Sequence, residues 1–327
     1  VTGHGFVRFE VEMSAADTIF ALSSGPGRAA IAVLRLSGPA TAGVVAGLAG
    51  DLPPPRSFAL RSLCDPTSGE LLDQAIVVWL PAPRSFTGED CAELHLHGSL
   101  AVLSSIMEVL GRQAGVRPAD PGEFTLRAFT HGKMDLVEVE GLADLLDART
   151  AVQRQQAFRQ LSGMASRMFE DWRTQLLMIR ADIEAVVDFV DEPGVAAEAG
   201  PGIDTRIRAL QHSMEEALSY SAVAEVIRDG VRVVLAGCPN TGKSSLLNHL
   251  ARRDAAIVSD LPGTTRDAIE VSMDINGIPV TLTDTAGLRQ EVSDKVEEEG
   301  VRRSRRLMSE ADIVIWVWSA DVAGSEL

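Results

Sequence analysis

The run Gly237-Cys238-Pro239-Asn240-Thr241-Gly242-Lys243-Ser244 has the spacing of a phosphate cradle, G-x-x-x-x-G-K-S. Its glycines let the backbone curl so that several N–H groups face one anion. A helix starting at Lys243 adds the positive end of its dipole. In that arrangement Lys243 reaches the β- and γ-phosphates and the Ser244 hydroxyl is a ligand for Mg²⁺. Two further runs follow in the order a nucleoside triphosphatase needs. Gly263-Thr264-Thr265-Arg266-Asp267 can bring a threonine to the metal from a mobile loop. Asp284-Thr285-Ala286-Gly287 sets a carboxylate beside the metal and a glycine N–H at the γ-phosphate. The cradle is specific because a strand leads in and a helix leads out; a lone DxxG or Thr-Thr is weak, and the three in this order predict a GTPase.

For these residues to meet, particular elements must carry them. Val231–Ala236 reads as the strand leading into the cradle, with a helix from about Lys243. Ile269–Ile275 and Ile278–Thr283 flank Asn276-Gly277, the pair that supplies two positive φ angles to a tight hairpin. Glu297–Ser309 predicts a helix and Ile313–Val317 a strand, so 229–327 is the front half of an α/β nucleotide-binding domain.

The preceding region, 132–228, is helical. Leu136, Val139, Ala143 and Leu146 share one helical face, and Trp172, Leu176, Ile179, Ile183, Val186 and Val190 repeat the period. A loop is expected near 191–203, then a helix over Thr205–Ile227. Residues 1–131 mix strand-like runs (Ile31–Leu36, Ala75–Leu80, Ala92–Leu96) with dense Pro and Gly punctuation. Strands and helices alternate too irregularly there for a doubly wound sheet, so a compact α+β domain is expected.

Composition narrows the function. The net charge is −16 and each of the three regions is acidic, which excludes a protein that grips nucleic acid through bulk charge. A local RNA pocket survives that exclusion. Arg302, Arg303, Arg305 and Arg306 are the nearest thing to a basic patch and read as a solvated helix face. No apolar run approaches the roughly 18–20 residues of a membrane helix. Three cysteines without paired spacing argue against a disulfide framework and a zinc site, and for a reducing, cytoplasmic setting.

GCPNTGKSSLLN, AIVSDLPGTTRD and DTAGLR together resemble the TrmE–Era-like GTPases. Upstream, DTIFALSSGPGRAAIAVLRLSG, PRSFTGEDCAELHLHG and RPADPGEFTLRAFTHGKMDLVEVEGLADLL resemble the N-terminal region of that family's tRNA-modifying members. The resemblance runs from about residue 13 to 318. It implies three parts: a tetrahydrofolate-binding and dimerising α+β domain, a helical domain, and a P-loop GTPase domain inserted into the helices. It also implies work with the flavoprotein MnmG (GidA) in a heterotetramer. That pair adds an aminomethyl or carboxymethylaminomethyl group to C5 of a wobble uridine in tRNA. The carbon comes from a 5-formyl or 5,10-methylene tetrahydrofolate.

The same resemblance implies site residues. Folate contacts fall on Arg35, Glu93 and Lys133, whose charges suit a carboxylate tail and a donor-rich pterin. Each also reads as an ordinary residue: an outward strand arginine, a surface carboxylate, a lysine snorkelling at a helix start. GTP is expected along Asn240, Thr241, Gly242, Lys243, Ser244 and Ser245. The facing loop would be Ser259, Asp260, Leu261, Pro262, Gly263, Thr264 and Thr265, with Asp284, Thr285, Ala286 and Gly287 below. Asn240, the carbonyls of Ser259 and Leu261, and Thr264 would hold K⁺, which does the work of an arginine finger. Thr265 joins Ser244 on Mg²⁺. Glu297 would orient the attacking water, although the register within Glu297-Glu298-Glu299 is open and a solvated acidic helix start fits equally well. Ser259 stands where relatives carry Thr, and His131 where they carry Asn; a carbonyl ligand survives the first change. Asp188–Glu192 matches an acidic patch of the family and is assigned no chemistry.

Two other classes stay open, a folate-binding protein with an inert G domain and a general Era-like assembly factor. The chain starts at Val1, and Met13 opens a more natural N-terminus, so 1–12 reads as an extension. No N-K-x-D follows DTAGLR and no Cys-x-Gly-Lys end is present, so the expectation is a chain truncated before both. Guanine specificity then rests on the resemblance.

Overall fold

The computed structural model describes residues 17–188, 202–238, 241–253, 270–284, 302 and 305–318. They fall into two compact units divided between Leu136 and Val137.

The first unit is built on a six-stranded sheet. Its strands are β1 (Thr18–Leu22), β2 (Ile31–Ser37), β3 (Phe58–Cys64), β4 (Leu71–Leu80), β5 (Cys91–His97) and β6 (Val116–Pro118), in spatial order β3-β4-β5-β2-β1-β6. All neighbours are antiparallel except β1 and β6. The period-2 pattern explains the sides. Ala32, Leu34 and Leu36 of β2, Ala92, Leu94 and Leu96 of β5, and Val77 and Trp79 of β4 are buried in one core. Helices α1 (Thr41–Ala49) and α2 (Leu100–Gly111) close it with Val45, Leu48, Leu103, Ile106 and Leu110. The Ser99 hydroxyl caps α2 by accepting from Val102 N–H (3.1 Å). Arg35 and Glu93, opposite each other in the β2–β5 register, alternate to the other face. Helix α3 (Glu123–Thr130) follows β6, and Lys133 lies just past its end, where its N–H donates to Ala128 O (2.8 Å).

The described residues of the second unit begin with helices α4 (Leu136–Asp147), α5 (Ala151–Leu161), α6 (Met164–Asp188) and α7 (Ile203–Asp229), followed by a four-stranded sheet. The strands are β7 (Val231–Ala236), β8 (Glu270–Ile275), β9 (Ile278–Asp284) and β10 (Ile313–Trp316), in order β10-β7-β9-β8. Only β8 runs antiparallel to its neighbour. Helix α8 (Lys243–Arg253) lays Leu247 on Val233, Leu235, Met273 and Leu282. The β8–β9 hairpin turns at Asn276 (φ 54°) and Gly277 (φ 90°), the expected pair of positive angles.

The period along α4 predicts the helix but not the side it buries. Leu136 and Leu146 are exposed, and the covered residue is Gly141. A Cβ there would lie 2.8 Å from both Gln160 Cβ and the Leu161 N, so glycine is what lets α5 approach. On α6 the stripe delivers one fully covered residue, Ile179, while Leu176 and Ile183 stay exposed and Val190 lies outside the described residues.

The start of α5 is tied to the hairpin. Thr150 and Gln153 form a capping box, each accepting from the other's N–H (both 3.1 Å). The Thr150 hydroxyl donates to Gly277 O (3.1 Å) and Arg149 to Ser272 Oγ (2.6 Å).

Candidate functional site

The phosphate loop leaves β7 at Gly237. This glycine has φ 140°, and a Cβ on it would sit 2.0 Å from the Val317 carbonyl, which is held beside β7 by Val317 N–H donating to Ala236 O (2.7 Å). No other residue fits there. Lys243, 3% exposed, turns its ammonium back into the loop and donates to Gly237 O (2.9 Å) and Cys238 O (2.6 Å). Thr241 Oγ1 donates to the same Cys238 carbonyl (2.8 Å), which tightens the curl. Gly242 has φ 92°, and its carbonyl accepts from Leu246 N–H to start α8.

At the helix start Ser244 Oγ donates to Asp284 Oδ2 (2.5 Å); Asp284 is fully buried at the end of β9. Hydroxyl and carboxylate are two hard oxygen donors at one point, at the start of α8. Mg²⁺ in nucleotide sites is bound by such a pair with phosphate oxygens completing the shell. Ser245 is exposed on the same helix turn.

Thr241, Gly242, Lys243, Ser244 and Asp284 are therefore brought together. Asn240, Ser259, Asp260, Leu261, Pro262, Gly263, Thr264, Thr265, Thr285, Ala286, Gly287 and Glu297 lie outside the described residues.

The first unit carries a second charged centre. Arg35 Nε and Nη2 both donate to Glu93 Oε1 (3.1 and 2.8 Å). Phe86 lies 5.3 Å and Phe124 6.0 Å from the Arg35 guanidinium carbon. His95, one pleat along β5, has Nε2 3.5 Å from Glu93 Oε2. Lys133 is not at a helix start; its ammonium donates to Pro83 O (2.9 Å) and its stem packs on Gly88. It thus meets the 81–90 segment that presents Phe86 to Arg35. His131 holds the same segment, its Nδ1–H donating to Thr87 O (2.9 Å).

Beneath that segment lies a cluster the motifs do not reveal. Arg127, 2% exposed, donates to Glu123 (2.9 Å), Glu89 (3.1 Å) and the Asp17 carbonyl (2.9 Å). Arg117 pairs bidentately with Glu123 (2.7 and 2.8 Å). Burial works to raise the Glu123 carboxyl, but Arg117, the Asp120 N–H and Arg127 outweigh it and bring the pKa down to about 2. Glu89 stands inside the PRSFTGED run and Arg127 inside FTLRAFT, so both were in view without any sign that they meet.

Comparison with known proteins adds the following. Residues 18–133 match the family described as GTP-binding protein TrmE N-terminus, and 232–326 match 50S ribosome-binding GTPase. The chain is 56% identical over 304 residues to the tRNA modification GTPase MnmE of Methylobacterium sp. (strain 4-46), covering 92% of this chain and 69% of that protein. It is 53% identical over 299 residues to MnmE of Granulibacter bethesdensis, covering 91% and 67%. Against the mitochondrial 5-taurinomethyluridine-[tRNA] synthase subunit GTPB3 of Danio rerio it is 51% identical over 301 residues, covering 92% and 60%.

Proposed function

Because this chain belongs to the MnmE (TrmE) family of tRNA-modification GTPases, we propose that it hydrolyses GTP in the service of wobble-uridine modification. The observation that carries this reading is the convergence of Lys243, Ser244 and Asp284 at the mouth of the Gly237–Gly242 loop. Lys243 exchanges its loop carbonyls for β- and γ-phosphate oxygens, and loop N–H groups take the remaining charge. Ser244 and Thr265 would hold Mg²⁺, which when bound would neutralise charge developing on the phosphates. Asn240, Ser259, Leu261 and Thr264 would hold K⁺, and Glu297 would orient the water.

In the first unit, Arg35, Glu93 and Lys133 take a tetrahydrofolate, with Glu93 accepting from the ring edge and a cation meeting the carboxylate tail. A homodimer through this region, joined by the MnmG (GidA) flavoprotein, transfers the one-carbon unit to tRNA. We assign 1–131, 132–228 and 229–327 as the folate, helical and GTPase parts of that machine, acting in the cytoplasm. No helix among the described residues is long and apolar enough to cross a membrane.

The test is GTP turnover in K⁺ against Na⁺ at constant ionic strength, beside binding of labelled 5-formyl-tetrahydrofolate. Turnover that needs Mg²⁺ and collapses in Na⁺ supports the reading. Equal rates in both salts sink the potassium assignment, and folate binding without turnover moves the function to a one-carbon carrier with an inert G domain.

A further inference from the structure

The segment joining β4 to β5, residues 81–90, is a surface connection by position yet is clamped like a core element. Thr87 is fully buried; its hydroxyl bonds Ser37 Oγ (2.7 Å) and Cys91 Sγ (3.2 Å) and accepts from Glu89 N–H (3.2 Å). The Glu89 carboxylate accepts from Ser37 Oγ (2.6 Å) and from Arg127 Nη1, and Ser85 Oγ donates to Glu89 O (2.5 Å). Arg127 in turn is shared with Glu123 at the start of α3.

Buried ion pairs of this sort rarely add stability over apolar packing of the same volume, because removing the charges from water costs about as much as their attraction returns. What they do supply is a fixed geometry. Here that geometry has a clear output: Phe86 lies three residues before Glu89, and Phe124 directly follows Glu123. These are the two rings that face the Arg35 guanidinium. The Glu89–Arg127–Glu123 triad thus ties together the backbone stations of both rings, from two segments far apart in sequence.

We propose that Glu89, held by Arg127, is a positioning residue for the Arg35–Glu93 site, setting Phe86 and Phe124 as the apolar walls that receive the flat aminopyrimidinone ring of a reduced pterin. The inference rests on the tetrahydrofolate reading and names which part of that ligand the walls select: the planar aminopyrimidinone half of the bicycle rather than the carboxylate tail. A ligand ring between them replaces the ring contacts of Arg35 and frees the guanidinium edge for a carbonyl or carboxylate. Glu93 remains the acceptor for ring N–H groups.

The experiment uses the whole protein and 5-formyl-tetrahydrofolate. It measures the dissociation constant and the circular dichroism induced in the ligand's absorption band at saturation, with hydrogen exchange of the β2 and β5 amides as the check on folding of the first unit. Glu89→Gln and Phe86→Leu are expected to weaken binding roughly tenfold and to change the induced band even when every site is filled. A merely structural role lowers the fraction of competent protein but leaves the saturated band as in the wild type. Should Glu89→Gln fail to fold, Phe86→Leu and Phe124→Leu carry the test, since both leave the charge cluster intact. Wild-type affinity and band shape in these variants, with binding lost in Arg35→Ala, overturns the positioning role and leaves the folate site standing. Wild-type protein that takes up no folate overturns the site, and the inference with it.

Discussion

Acid should loosen the first unit through one carboxylate. Glu123 is 6% exposed, and burial alone would favour its protonated form. Two Arg117 donors at 2.7 and 2.8 Å, the Asp120 N–H at 2.9 Å and Arg127 at 2.9 Å win instead, and its pKa falls from 4.5 to about 2. The folded value lies below the unfolded one, so the carboxylate stabilises the native state above pH 4.5. That contribution disappears as pH falls towards 2. A gap of about 2.5 units at about 1.4 kcal/mol each amounts to about 3–4 kcal/mol at neutral pH. Asp65, lowered by the Thr67 N–H and, against the opposing pull of burial, by Arg112, adds a background slope of the same sign.

The measurement is hydrogen exchange of β1 and α3 peptides, wild type against Glu123→Gln, from pH 7 to 3 with intrinsic rates corrected. A global melt is unsuitable because two compact units need not unfold as one transition. Wild-type protection should fall more steeply than that of the variant below pH 4.5, by up to one proton. At pH 7 the variant should be weaker by about 3–4 kcal/mol, because Arg117 and Arg127 lose a charged partner. Parallel profiles between pH 5 and 3 would falsify the assignment of the shift to this cluster.

Three shorter expectations concern the second unit. Gly237→Ala puts a methyl 2.0 Å from the Val317 carbonyl on a backbone at φ 140°; fluorescent-nucleotide titration should show binding lost by roughly a hundredfold or more. Asp284→Asn removes the charge at the Ser244 hydroxyl, and the Mg²⁺ concentration for half-maximal GTP turnover should rise about tenfold; an unchanged Mg²⁺ profile would place the ion elsewhere. Thr150→Val deletes both the α5 cap, worth about 1 kcal/mol, and the bond to Gly277 O, so amides of 270–284 should exchange faster while those of α7 do not.

How much of this was readable in advance depended on whether the information was local. The phosphate loop is legible because its curl is made by glycines at fixed offsets; Gly237 and Gly242 take the positive φ angles their residue type allows. Asn276-Gly277 is legible for the same reason, two positive φ angles written as two residue types. The α4 stripe was misleading in one respect. Periodicity identifies a helix, but the side covered by α5 is chosen by the absence of a side chain at Gly141, which carries no hydropathy signal. The Arg127 cluster was not legible at all. Its members come from residues 17, 37, 89, 117, 123 and 127, and nothing in a buried arginine's sequence neighbourhood distinguishes it from an exposed one.

The charge balance then bears on how such a chain meets RNA. A protein that holds tRNA by itself needs several unpaired cations, since each neutralised phosphate contributes to affinity through counterion release. Here arginine after arginine is already engaged by a carboxylate: Arg35 with Glu93, Arg112 with Asp65, Arg117 with Glu123, Arg127 with Glu89, Arg228 with Asp144, and Arg306 with Glu310. The last pair falls in the one arginine-rich run and uses part of it internally. With a net charge of −16 around them, these pairs leave little positive field to draw a polyanion in. On the proposed wobble-uridine function, a second protein would have to supply most of the phosphate contacts.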